Sequence, residues 1–320
     1  MTIILILLAV LALVVAALVQ FTRATARKVE AVVPPLGRII DVAGTRLHVH
    51  EEGEGQPLLL VHGLGGQVRN FSHSLTAQLR NRYRVVLVDR PGSGYSPRAD
   101  GAPADLATQA RTLAALIDHL RLEKPVVVGH SLGGALALRL ALDFPDKVGG
   151  LALLAPLTHL PAEPKVADAF KGLTIANGVV RTAVAYTLAT PMSIALGQKV
   201  LGQIFAPDPV PRDFRTKGGG LLTLRPAPFL GASADLQALP AAMPDQMARY
   251  ADLRLPVGVL YGSGDAILDW RENGQALVRL IPGSTLEVIE GGHMLPVVYP
   301  QQCAQLIDTV AQRVAAETNA

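Results

Sequence analysis

The chain has 320 residues, enough for one large α/β domain or a core with an insertion, and it is half hydrophobic and 17% charged, which excludes a disordered protein. Its 29 Lys and Arg face 26 Asp and Glu; outside Arg23, Arg27 and Lys28 the signs balance at 26 each, leaving no basic face for the phosphate contacts of nucleic-acid binding. A single cysteine, Cys303, excludes an internal disulfide framework and a cysteine-cluster metal site.

The first predicted element is an apolar helix. Residues 3–19 read IILILLAVLALVVAALV without a charge or polar side chain, and Phe21 extends the run past Gln20. A helix crosses a bilayer with about 20 apolar residues, within a range of roughly 17–25. A secretory signal would begin with positive charge and carry a run of about 7–15. Here only Met1 and Thr2 precede a longer one. A core helix would show an amphipathic face, and none is present. Residues 1–22 are therefore predicted to be a retained single-pass transmembrane anchor. Residues 23–36, with Val32-Val33-Pro34-Pro35, are expected to be a short stiff linker. The basic residues all follow the span, so the positive-inside tendency places the downstream domain on the cytoplasmic side, against the opposing charge of the free amino terminus.

Beyond the linker, apolar runs bounded by turn residues occur at 57–61, 84–88, 125–129, 150–155, 256–261 and 285–290. Such continuous runs suit strands buried on both faces of a mostly parallel sheet. Between them Leu106, Ala110, Leu113, Ile117 and Leu120 recur at helical spacing, with Gln109, Arg111, Thr112 and Asp118 facing elsewhere. Alternating strands and helices predict a doubly wound α/β sheet. Its first part is expected over 37–156 and its second over 251–320. Residues 157–250 carry no convincing strand, only helix-like pieces near 166–176, 179–189 and 193–205, then Gly218-Gly219-Gly220 and several prolines. A structureless loop of that length is improbable, so this stretch is read as an inserted helical cap.

Chemistry concentrates at Gly129-His130-Ser131-Leu132-Gly133, a G-x-S-x-G motif with the strand PVVV running in and the helix GGALALRLAL running out. A serine on so sharp a turn presents its hydroxyl, and the new helix points free N–H groups toward it. The hydroxyl needs a base, so one of eight histidines must reach it. His130 is the nucleophile's neighbour and cannot easily turn back. His48 and His50 alternate on an early strand, where packing outweighs metal ligation without a third ligand. His62 lies in the glycine-rich loop described below. His73 and His119 read as solvated positions, and His159 lies in the cap, within reach of a substrate. His293 follows a strand through Gly291-Gly292, at the strand end where sites in α/β sheets gather. An acid should precede it in the order Ser, Asp or Glu, His. Asp265 stands in Gly262-Ser263-Gly264-Asp265 just past a strand; its competitor Asp269 better begins the next helix. Asp265 would hold the imidazole tautomer and stabilise the imidazolium. The backbone N–H groups of Leu132 and of Leu64, in His62-Gly63-Leu64-Gly65-Gly66, are the expected oxyanion donors. Arg90-Pro91-Gly92-Ser93-Gly94-Tyr95-Ser96 lacks the ending of a phosphate loop and is read as structural.

Taken in order, HGLGG, DRPGSGYS, GHSLGG, GSGD and GGHM resemble the α/β-hydrolase superfamily, from about residue 37 to the end apart from the cap. The resemblance implies Ser131, Asp265 and His293 as the triad, Leu64 and Leu132 as oxyanion donors, the cap as a lid, and no metal or organic cofactor. Serine at the elbow differs from the haloalkane dehalogenase and epoxide hydrolase branches, whose nucleophile is aspartate. Many relatives carry an acid shortly after the catalytic histidine, whereas Pro296-Val297-Val298-Tyr299 is uncharged. An anchor followed by a serine hydrolase looks like membrane-bound monoacylglycerol lipases and related esterases. The expectation is hydrolysis of lipophilic carboxylic esters, with a small-molecule ester or lipid as the partner. A perhydrolase or an amidase would use the same triad with a different pocket, and a non-catalytic binding protein would leave Ser131 unreactive.

Overall fold

The computed structural model describes residues 1–99, 101–161 and 166–318; the cap residues 162–165 and the last two residues lie outside them. The strands are β1 (Arg38–Val42), β2 (Thr45–Glu52), β3 (Gln56–Val61), β4 (Tyr83–Val88), β5 (Val126–His130), β6 (Gly150–Leu154), β7 (Val257–Gly262) and β8 (Thr285–Ile289). The longer helices are α1 (Thr2–Val32), α2 (Leu106–His119), α3 (Leu132–Asp143), α4 (Gly178–Tyr186), α5 (Ala189–Phe205), α6 (Pro226–Ala248) and α7 (Pro300–Thr318). The eight strands form one sheet in the order β1-β2-β4-β3-β5-β6-β7-β8. β1–β2 and β2–β4 are antiparallel and every other pair is parallel.

The core follows the apolar runs. Every residue of β5, β6 and β7 is buried, as a parallel sheet covered on both faces requires. β8 differs, with Thr285, Glu287 and Val288 exposed, because it is an edge strand. β1 gives no apolar run for the same reason. Its hairpin to β2 turns at Ala43-Gly44, and alanine at φ 51° is not the usual signal for that turn.

The 157–250 stretch carries helices and no strand among its described residues. A 3₁₀ turn (Asp168–Leu173), α4, α5, a second 3₁₀ turn (Gly220–Leu224) and α6 follow one another between β6 and β7. α6 occupies the proline-containing end of this stretch, where the sequence shows no helix-like piece. It begins with Pro226, whose missing N–H costs nothing at a helix start, and runs for 23 residues through Pro240 and Pro244.

The linker expectation is also corrected, because α1 continues to Val32. Up to Ala17 its residues are exposed, but Leu18 and Val19 are half-buried and Thr22, Val29 and the following Val33 are buried. This stripe has helical spacing. Val29 and Val33 pack with Leu222, Tyr95, Leu221 and Leu224, and Glu30 meets Arg225 at 3.1 Å. The contact with the insertion keeps residues 23–32 helical, and only Pro34-Pro35 ends the helix.

Candidate active site

β5 ends in the motif, and Ser131 turns the chain at φ 54°, ψ −121°. A side-chain-bearing residue held there costs on the order of 1–3 kcal/mol, so the surroundings must fix it. Its N–H donates to the Leu154 carbonyl at 3.0 Å, and its own carbonyl accepts from Gly134 at 2.8 Å and Leu157 at 2.9 Å. Glycine is required at 133, where a Cβ would stand 2.1 Å from the Val61 carbonyl oxygen. Leu132 is the first residue of α3, so its N–H has no intrahelical partner.

The loop after β3 comes close to this turn, since a Cβ at Gly63 would lie 2.9 Å from that of Ser131. Leu64, Ser131, Leu132 and Asp265 line one cleft of about 380 Å³. The rest of its described wall is mainly apolar, with Leu157, Phe170, Leu236, Leu239, Ile267 and Leu268 among the lining residues. His159 also lines it, and burial lowers the pKa of this ring.

Past β7, Asp265 accepts the Ile267 and Leu268 N–H groups on Oδ1, at 2.8 and 3.0 Å, and meets His293 Nδ1 with Oδ2 at 2.7 Å. A carboxylate so placed takes a proton-bearing Nδ1 and leaves Nε2 as the basic nitrogen of the ring. Asp269 instead accepts from the Arg271 N–H at 2.6 Å, opening the next turn.

The acid absent after His293 is supplied from the insertion. Asp208 accepts the Gly292 N–H at 2.8 Å and the Tyr299 hydroxyl at 2.7 Å, and that bond is the first cause of a Tyr299 pKa pushed up to about 12. Gly292 has no room for a side chain, because a Cβ would meet the Ala206 carbonyl oxygen at 2.5 Å. From the other side His130 Nε2–H donates to the His293 carbonyl at 3.0 Å. Asp208 has no sequence signal, being 85 residues from His293. Asp208→Ala is expected to lower kcat/KM on the order of 10²-fold, the effect of misplacing a reacting group by about 1 Å. Ester turnover with an unchanged circular dichroism spectrum checks it, and Tyr299→Phe should have a weaker effect in the same direction.

His62, His73, His130 and Gln109 are more embedded than their sequence neighbourhoods suggest. His62 accepts the Arg90 N–H on Nε2 and donates from Nδ1 to the Gly63 carbonyl, which fixes the loop before Leu64. Arg90 also donates to the carbonyls of His62 and Gly63, to Gln109 and to Asp235. Gln109 is thus buried, and not on the solvent face of α2. His73 bridges to Asp213 at 2.9 Å, which corrects its reading as solvated. His48 pairs with Asp89 at 2.7 Å, and no metal-binding group of three or more His, Cys, Asp or Glu occurs among the described residues.

Burial, reinforced by Arg90, lowers the His62 pKa to about 4; burial, reinforced by His293, lowers that of His130 to about 3. Unfolded, both rings protonate near pH 6.5, so on acidification the unfolded chain binds more protons than the folded one. Stability is therefore full above that pH and falls below it, by up to about 1.4 kcal/mol per pH unit for each ring, until the folded pKa values are reached. Thermal melts between pH 7.5 and 4.5 should show the decline, with a shallower slope in His62→Gln; a flat profile would contradict it.

Several known proteins are similar to this chain. An uncharacterised protein of Mycobacterium tuberculosis is 29% identical over 304 residues, covering 89% of this chain and 82% of that one. The 2-hydroxy-6-oxononadienedioate/2-hydroxy-6-oxononatrienedioate hydrolase 2 of Pseudomonas putida is 30% identical over 253 residues, covering 78% and 85%. Among solved structures, a thermophilic esterase from Thermogutta terrifontis superposes with a TM-score of 0.68 at 26% identity, covering 87% and 99%. A profile of the alpha/beta hydrolase fold family matches residues 56–298, and together with the sheet order and the serine elbow this shows that the chain belongs to that family.

Proposed function

We propose that this protein is a membrane-anchored serine hydrolase of lipophilic carboxylic esters, monoacylglycerol-like esters among them. The observation that carries the reading is Ser131, held at a strained strand-to-helix turn on an apolar cleft, in a chain whose His293 and Asp265 meet at 2.7 Å. Ser131 Oγ attacks the ester carbonyl carbon while His293 Nε2 takes its proton. The Leu64 and Leu132 N–H groups receive the oxyanion. Collapse breaks the bond to the alkoxy oxygen, and His293 returns the proton to the leaving alcohol. Water, deprotonated by His293, then attacks the acyl-enzyme and releases the acid and Ser131. Asp265 stays ionised throughout, holding the imidazole and stabilising its protonated form. No metal or organic cofactor enters these steps.

Leu236, Leu239 and Phe170 would take the acyl chain, since ligand pockets are mostly apolar with few polar groups. The apolar half of α1 is read as the anchor, with the catalytic domain on the cytoplasmic side, and tethering raises the local concentration of substrate dissolved in the bilayer. The test is hydrolysis of p-nitrophenyl esters from short to long acyl chains by the full-length protein in mild detergent. Ser131→Ala provides the background. A long-chain maximum that vanishes in the variant supports the reading; a short-chain maximum removes the lipid substrate, and turnover retained in the variant removes the mechanism.

The Pseudomonas putida relative favours a second reading, in which the same serine cleaves a carbon–carbon bond beside a ketone. Its named substrates are dianions, whereas the described cleft wall presents Asp269 and Glu272 and no Lys or Arg. Faster turnover of such a dienedioate than of any ester would establish the second reading.

A further inference from the structure

The insertion carries an apolar surface that the ester-cleaving site does not use. Val179 is 80% exposed on α4, and Val180, Leu188, Met192, Ile194 and Leu196 are exposed on α4, α5 and the bend between them. Helices that bury an apolar face against their own core do not leave this many apolar side chains in the open, and exposed apolar surface on this scale marks an interaction site. Its neighbour is α1, against which both α4 and α5 pack.

The helix they pack against points to the occupant. Residues 3–21 of a helix rise about 28 Å, close to the roughly 30 Å of a bilayer's hydrocarbon core. The last turn of the span therefore falls at the boundary between acyl chains and headgroups. The chain begins to cover α1 in that turn, at the half-buried Leu18 and Val19, and Thr22 is completely enclosed. Because α1 is exposed up to Ala17, α4 and α5 are read as flanking it from the end of that span onward. Arg23, Arg27 and Lys28 on α1 and Lys199 on α5 are exposed, charges suited to anionic headgroups.

We propose that α4 and α5 lie in the interface layer of the bilayer that α1 crosses, with Val179, Val180, Leu188, Met192, Ile194 and Leu196 among the acyl chains. This rests on reading α1 as a membrane anchor. It deepens the proposed function, because the 3₁₀ turn bearing Phe170, part of the cleft wall, packs against α5. Substrate dissolved in the bilayer is thereby offered to an insertion already seated in it.

The test uses the full-length protein in nanodiscs of phosphatidylcholine and phosphatidylglycerol, with nitroxide labels at introduced cysteines; the native Cys303 is buried. Labels at Ile194→Cys and Val180→Cys are expected to be relaxed by oxygen in preference to a water-soluble nickel chelate. A label at Thr285→Cys on β8 should show the reverse. Equal nickel access at 194, 180 and 285 overturns the proposal if Leu11→Cys still reports the bilayer interior. Nickel access at 11 as well means that the anchor reading itself has failed. Dipolar broadening between labels at 194, with nickel excluded, identifies a second copy of the chain as the occupant and also overturns it. In parallel, Met192→Glu/Ile194→Glu should lose activity several-fold on a long-chain ester presented in vesicles and keep that on soluble p-nitrophenyl acetate. Equal activity on both substrates counts against the proposal.

Discussion

Asp265→Asn is expected to lower kcat for ester hydrolysis about 10⁴-fold while leaving the fold and KM nearly unchanged. The geometry gives the reason. The Asp265 side chain is 1% exposed and binds two backbone N–H groups through Oδ1 and His293 Nδ1 through Oδ2. In the variant the amide oxygen keeps the Ile267 and Leu268 N–H groups, so the turn stays intact and the NH₂ faces the ring. The histidine must then accept on Nδ1 and carry its proton on Nε2, and in the proposed mechanism it can no longer take one from Ser131. Asp269→Asn serves as the comparison, because that carboxylate opens the following turn and should change kcat little. Steady-state kinetics on one p-nitrophenyl ester distinguish the two, and equal losses in both variants would remove Asp265 from its assigned role.

The largest expected effect on stability is at Asp235→Ala, a loss of about 3–5 kcal/mol, the usual consequence of removing one partner from a buried ion pair. Asp235 is 1% exposed and Arg90 is 0%; they meet at 2.7 Å, and Arg98 joins the same carboxylate at 2.5 Å. Deleting the carboxylate leaves two guanidinium groups facing each other, one of them without solvent. Asp245, on the same helix but largely exposed and paired among the described residues with Arg139 and Arg249, is the control, and Asp245→Ala should cost no more than about 1 kcal/mol. Denaturant unfolding measures both. Arg90 also holds the His62 and Gly63 carbonyls, so Asp235→Ala should lower kcat as well, through the loop that carries Leu64.

What could be read directly from the chain was local. Continuous apolar runs announce β3 to β7, because strands buried on both faces have no polar side to present. The G-x-S-x-G turn is legible because its steric demand is met within five residues. Asp265 and His293 are legible as residues just beyond predicted strands, and the apolar run of α1 needs no partner to be seen. The residues that hold these groups in place were not legible. Asp208 gives no periodic or motif signal, and the motif that contains Arg90 says nothing of its partners, since each works through groups brought close only by the folded sheet and insertion. Gln109 looks like a solvent-facing helix residue until Arg90 is placed opposite it. Residues 226–248 offer no helix-like piece, yet α6 runs through them, past Pro240 and Pro244. The extent of α1 past residue 22 was likewise decided by what it touches, Leu222 and Arg225 of a segment almost two hundred residues away. The amino-acid sequence by itself determined the strands, the elbow and the apolar span, because their causes lie within a few residues. Tertiary structure alone decided which polar groups are buried, what supports the His293 loop and where the insertion rests, because burial and pairing depend on chain segments far apart in sequence.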